Sequence, residues 1–212
     1  MDFEIIKPAD IEKRSFAIIT EELGDRVFPE EIGLVVKRVI HTSADFDYAD
    51  NLVFSEGAVP RALEAIRNGA HIVTDTNMVK AGINKKTLAK FGGEVHCFVA
   101  DADVAEEAKQ RGVTRSTVSM ERAAKLDVPV IFAIGNAPTA LIELDRLMRE
   151  QDLKPELIIG VPVGFVNVVE SKELILQSQV PHIVARGRKG GSNVAAAIVN
   201  ALLYQLVHRE GF

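Results

Sequence analysis

The sequence predicts an α/β fold: an open, mainly parallel five-stranded sheet with helices on both faces, preceded by N-terminal helices. Three observations predict it. Five short apolar runs, at 71–74, 94–100, 129–134, 157–161 and 182–185, are separated by stretches whose apolar residues recur at helical spacing. Most of these runs are apolar almost throughout, as strands covered on both faces are. Helix-like and strand-like stretches also alternate along the chain, which is the order that parallel strands need. No repeat, linker or low-complexity tract divides the 212 residues, so a single domain over 1–212 is expected.

Taken in order, Asp10 is placed to cap a first helix that ends near Gly24, with Ile11, Ser15, Ile18, Ile19 and Leu23 along one side. Pro29, Glu30 and Glu31 open a second helix, because proline tolerates the first turn and acids favour its positive end. Ile32, Val35, Val36 and Val39 give it an apolar face, and it should stop near His41 and Thr42. An aromatic and acidic connection follows through Asp45, Asp47 and Asp50, read as a solvated loop or as support for the histidine. Ala58 to Asn68 reads as a helix stopped by Gly69, and residues 75–82 as a turn opening another. Helices are then expected at 104–111, 137–151, 171–178 and 192–207, between the remaining strands. The outline is Rossmann-like, with the two N-terminal helices on the sheet or against a second subunit.

Composition narrows the partners. A net charge of −5 argues against nucleic acid or an anionic membrane surface, although Arg186, Arg188 and Lys189 cluster. No apolar run approaches the roughly 18 residues a membrane span needs, and Asn200 interrupts the most apolar helix. The acidic start, Met1-Asp2-Phe3-Glu4, has no apolar signal core. Cys97 is the only cysteine, so no internal disulfide can form, which suits a reducing cytoplasm. Its place in an apolar run reads as a buried small residue.

Ligands of open α/β sheets gather at the carboxyl ends of the strands. Here those ends are Asp75-Thr76-Asn77, the Asp101 region, Gly135-Asn136, Pro162-Val163-Gly164 and Arg186 to Ser192. Glycine lets backbone approach a ligand closely. Gly135 to Thr139 opens a helix, so free N–H groups should point outward. The loop from Gly187 to Ser192 joins basic side chains to a helix start, an anion site by mechanism. It does not fit the Walker pattern, and no Gly-x-Gly-x-x-Gly follows a strand, so a nucleotide is not the expected anion. His71, His96, His182 and His208 form no ligand pattern with Cys97 or the acids, and no metal site is expected. His41 stands alone near a helix end, where the dipole favours a protonated ring. By itself it reads equally as a cap.

Six stretches give more. Arg14-Ser15-Phe16-Ala17-Ile18-Ile19, Val39 to Asp45 around His41, Ala133 to Leu141, Gly160 to Val166, Glu170-Ser171-Lys172 and Arg186 to Ser192 closely resemble, in that order, the precorrin-8X methylmutase family of corrin biosynthesis. The resemblance runs from about Arg14 to about Leu203. It implies an isomerase that moves a methyl group from C-11 to C-12 of a carboxylate-fringed macrocycle, with no cofactor, redox partner or external methyl donor. It assigns the catalytic role to His41 and implies a homodimer with the site near the subunit contact. Arg14, Ser15, Thr42, Thr76, Lys80, Arg115, Gly135, Asn136, Val163, Gly164, Arg186, Lys189, Gly190 and Ser192 become candidates for binding this corrinoid precursor, with Met78 and Phe165 as walls. On spacing alone Arg14 and Arg115 read as surface cations, and Val163 and Phe165 as core.

Overall fold

The computed structural model describes residues 5–207. His208 and the first four residues therefore lie outside the described residues. After a 3-10 turn at Pro8–Asp10 come α1 (Ile11–Leu23), α2 (Glu30–Ser43), α3 (Tyr48–Asn51), β1 (Leu52–Phe54), α4 (Ala58–Arg67), β2 (His71–Thr74), α5 (Asn77–Gly82), α6 (Lys85–Ala89) and β3 (Val95–His96). The second half runs α7 (Ala102–Arg111), α8 (Arg115–Ala123), β4 (Val130–Ile134), α9 (Pro138–Gln151), β5 (Leu157–Gly160), α10 (Val168–Leu176), β6 (His182–Ala185) and α11 (Ser192–Leu206).

The sheet order is β1-β6-β5-β4-β2-β3, parallel throughout except for β1, which runs antiparallel to β6. Five parallel strands were expected and are present. The sixth is an edge strand of three residues, held by Leu52 against Ala185, Val53 against Val184 and Phe54 against Ile183. It follows a single helical turn, so no run of alternating residues announces it in the sequence. β3 is equally brief, with only Val95 and His96 paired, where a strand over 94–100 was expected. Helix α8 was not expected either, since Val118, Met120 and Ala123 are its few apolar anchors. Thr114 caps it by accepting the Thr117 N–H.

Alternation along each strand divides the interior. Ile131 and Ala133 of β4 join one apolar cluster with α2, α4, α5 and α11, while Val130, Phe132 and Ile134 join another with α8, α9 and α10. α11 is the main column of the first layer: Val194 to Val199 and Ala201 to Leu203 are all buried. Its polar interruption is satisfied, because Asn200 accepts the Asn84 N–H (2.8 Å) and donates to the Gly82 carbonyl (2.9 Å). Among the described residues no helix is long and apolar enough to cross a membrane.

Counting only parallel strands, the spatial order is 2-1-3-4-5, the flavodoxin-like variety of doubly wound sheet. The chain steps from β2 outward to β3, then returns to β4 on the other side of β2. The crevice of such a sheet opens at that reversal, between the carboxyl ends of β2 and β4.

Candidate active site

Asp75 and Gly135 to Ala137 follow those two strands. The Asp75 carboxylate is buried and accepts N–H groups from Gly135 (3.0 Å), Asn136 (2.7 Å) and Ala137 (2.7 Å). Burial pushes its carboxyl upward from the ordinary range, against the pull of these donors. The expected outward-pointing amides at Gly135 and Asn136 are therefore already engaged by the protein's own anion. A nucleotide phosphate has no place to sit there. Gly135 is needed because a Cβ would come within 2.7 Å of the Ser192 Cα, so this turn packs directly on the start of α11. Ser192 in turn meets Thr76 (Oγ···Oγ 3.0 Å), whose hydroxyl also caps α5 through the Val79 N–H.

The loop between β6 and α11 is held from three sides. The Gly191 N–H donates to the Val161 carbonyl (2.9 Å), and a Cβ on Gly190 would strike that carbonyl at 2.1 Å. The Gly164 N–H donates to the Arg188 carbonyl (3.2 Å). From below, fully buried Lys172 of α10 donates through Nζ to the carbonyls of Gly187 (2.7 Å) and Lys189 (2.9 Å). Burial lowers the Lys172 ammonium to about 8.

Lys189 reaches out of this loop to Asp45 (2.7 Å) and Asp47 (2.6 Å), and these bonds raise its affinity for its proton. The acidic connection is thus a clasp between the α2 end and the basic loop, not a free solvated stretch. The Lys189 ammonium, a candidate donor to the ligand, thus already bonds two of the protein's own acids while remaining partly exposed.

His41 lies in the last turn of α2, which ends where Ala44 turns left-handed (φ 52°) and donates its N–H to the Ile40 carbonyl. The ring is exposed on one side and stacks on Phe16 of α1 on the other, with centroids 5.3 Å apart at 20°. Arg38, one turn back, lies over the same Phe16 ring (4.7 Å) and bonds Glu12 (2.5 Å). Partial burial first, and the Arg38 cation second, lower the His41 pKa from its ordinary value, although Glu12 pulls the other way. The helix end was expected to favour the protonated ring. Burial and the nearer cation outweigh it.

Of the remaining candidates, Arg14 and Ser15 flank Phe16 on α1, and the Ser15 hydroxyl bonds back to the Ile11 carbonyl (2.9 Å). Thr42 is exposed beside His41. Val163 and Phe165 are exposed, not core, and Arg188 covers the Phe165 ring at 5.5 Å. Met78 is exposed at the mouth of α5. Arg186 is exposed, while its N–H pairs with the Asn51 carbonyl beside β1. Arg115 starts α8, which is joined to the start of α9 by a Thr114–Thr139 hydroxyl bond (3.0 Å). Lys80, on α5, lies near enough to His96 to disfavour its protonation. These groups share the carboxyl side of the sheet but divide between the His41 corner and the β3 side of the crevice.

Such a fold and site define an α/β protein whose switch-point amides are engaged by its own carboxylate, with exposed cations, apolar side chains and the exposed His41 imidazole on the elements around it. The chain belongs to the precorrin-8X methylmutase family, whose model matches residues 10–205. It is 48% identical over 197 residues to the cobalt-precorrin-8 methylmutase of Priestia megaterium, covering 93% of this chain and 88% of that one. Identity is 46% to the cobalt-precorrin-8 methylmutase of Salmonella typhimurium (95% and 97% covered) and 40% to the precorrin-8X methylmutase of Pseudomonas aeruginosa (91% and 93%). The solved precorrin-8x methyl mutase of Thermus thermophilus superposes with a TM-score of 0.86 at 39% identity, over 94% of this chain and 98% of that chain.

Proposed function

We propose that this protein is the isomerase that shifts a methyl group from C-11 to C-12 of precorrin-8 or cobalt-precorrin-8, giving hydrogenobyrinate or cobyrinate in cobalamin biosynthesis. The shift is intramolecular and redox-neutral, so it consumes no donor and no cofactor. His41 lends a proton to a ring nitrogen, the electron-poor macrocycle accepts the migrating methyl, and the imidazole recovers the proton. Arg14, Arg115 and Arg186 meet carboxylate arms as charge-assisted donors. Ser15, Thr42, Thr76, Lys80 and Ser192, with Lys189 beside its two acids, complete the polar rim, and Val163, Gly164, Phe165 and Met78 the apolar one. An approaching polycarboxylate also raises the depressed His41 pKa, so binding itself loads the proton donor.

The observation that carries this reading is the placement of His41: exposed, ring-stacked on Phe16, and joined through Asp45 and Asp47 to the basic loop at the crevice. The test is His41→Ala. Ligand binding should persist while turnover falls by about 10²-fold or more, as loss of acid–base assistance predicts. Undiminished turnover refutes it. Full binding with no turnover in the parent protein would favour the alternative, a non-catalytic tetrapyrrole carrier.

The protein acts as a single-domain homodimer in the cytoplasm. Exposed Ile11 and Ile18 on α1, next to the His41 corner, support a subunit contact there; sedimentation equilibrium tests it. The lone, buried Cys97 accords with a reducing compartment. Relatives named for the cobalt form range from 48% to 38% identity and one named for the metal-free form stands at 40%, so the choice between the two substrates falls to experiment. Side-by-side incubation with both precursors decides it.

A further inference from the structure

Strand pairing assembles a group that sequence spacing conceals. His71 opens β2, and His96 sits on β3 opposite Val73, two residues further along β2. Side chains two apart share a face, so both rings project from the same side of the sheet as Val73, the side of α8 and α9. His41 belongs to the opposite layer, with α2. Glu94 shares the His96 face by the same rule. Sequence spacing shows no ligand set here because the neighbours lie across a ladder, not along the chain.

The geometry is close. His71 Nδ1 and His96 Nε2 face each other at 2.8 Å, the rings stack at 16°, and a Glu94 carboxylate oxygen lies within 4.8 Å of one nitrogen of each ring. Two nitrogens each about 2.05 Å from one ion stand roughly 2.9 Å apart at a right angle and roughly 3.4 Å apart at the tetrahedral angle. The pair needs to open by only a few tenths of an ångström to admit an ion. Both histidines are half-buried and Glu94 is exposed, which leaves an entry path and open coordination positions on the solvent side.

We propose that His71, His96 and Glu94 form a binding site for a divalent transition ion that prefers imidazole, such as Zn²⁺ or Ni²⁺. One ring exchanges tautomer as the ion replaces the shared N–H···N bond, and the other ring nitrogen then carries the proton. The site staples β3, whose ladder to β2 is only two residues long, to the body of the sheet. Phe98, stacked on His96 at 5.9 Å, walls it on one side. Lys80 lies close enough to His96 to repel a cation, and Glu94 is the group that offsets it.

The experiment is a titration of the purified, untagged chain with ZnCl₂, followed by equilibrium dialysis and thermal unfolding. One tightly bound ion per chain and a rise in the unfolding temperature are expected. Glu94→Gln, at an exposed position, should weaken binding at least tenfold, and His71→Gln with His96→Gln should abolish the tight equivalent. Unchanged stoichiometry and affinity in the double variant overturns the site. Should that variant fail to fold, the ring ¹⁵N resonances of the unmutated chain decide: those of His71 and His96 must move together on adding Zn²⁺, and movement of other histidines alone overturns the proposal.

Discussion

Replacing Lys172 by methionine separates the two things its ammonium does. Its Nζ bonds the carbonyls of Gly187 and Lys189, and it is wholly buried with its pKa lowered from 10.5 to about 8. The folded state therefore disfavours the charge. Above a pH of about 8 the folded amine is neutral while the unfolded one stays protonated to 10.5, so the unfolded chain binds more protons and stability rises with pH across that window. A neutral amine still has two N–H donors, enough for both carbonyls. Linkage with these two values gives a gain of roughly 2.5 kcal/mol between pH 7 and pH 10. Lys172→Met removes the gain. It also leaves two carbonyls without that donor, at about 1–3 kcal/mol each, while relieving the buried charge. At pH 7 these nearly oppose, so the variant should lose only on the order of 0–3 kcal/mol. Urea unfolding of both proteins at pH 7 and pH 10 reads the difference directly. The parent should gain on the variant by roughly 2.5 kcal/mol as pH rises. A parent–variant difference that stays constant with pH would refute the reasoning that Lys172 is a buried, reluctant cation.

Two further outcomes test the crevice and the imidazole. In Asp75→Ala three backbone N–H groups lose their acceptor, which should cost about 3 kcal/mol or more. Added formate should restore stability to the variant far more than to the parent, whereas equal effects on both would show the cradle is not an anion site. The His41 pKa lies below its ordinary value in the free protein, so the half-point of the kcat/KM–pH profile, which reports the free enzyme, should fall below about 6.5. Because the unfolded ring takes up its proton first as pH falls, this group also contributes stability that is lost on acidification through the same window. Phe16→Ala opens one ring face to water and should move the half-point upward; no movement would mean the stacking does not set it.

The legible parts of this molecule were those that depend on local pattern. The five runs pointed to parallel strands because most of them are apolar almost throughout, and the apolar recurrence of α2, α9 and α11 left little choice of conformation. The α2 stop at His41 was visible within two residues. What escaped was short or non-local. β1 has three residues and forms because β6 offers it an edge. Asp75 was recognised as lying at a strand end, yet its three N–H partners stand some sixty residues away. Asp45 and Asp47 gained a role only from Lys189, more than 140 residues distant. Lys172 was visible in the sequence only as part of a matching stretch; its burial became legible once its two carbonyl acceptors were found in the very loop that carries the basic residues.

The filled amide cradle and the clasped lysine point to one design principle. In doubly wound sheets the backbone N–H groups at the switch point are the strongest fixed anion site, suited to a compact phosphate. Asp75 fills that site internally, and its partner amides then hold the β4–α9 turn rigid against α11. The exposed side chains of Arg14 on α1, Arg115 on α8, and Arg186 and Arg188 on the β6–α11 loop all stand outside that cradle. A small phosphate cannot touch cations so dispersed, whereas a broad ring fringed with carboxylates can reach several together. On the function proposed above, charge already present inside the fold would set the ligand class, and Asp75 would be as much a determinant of it as any residue at the rim.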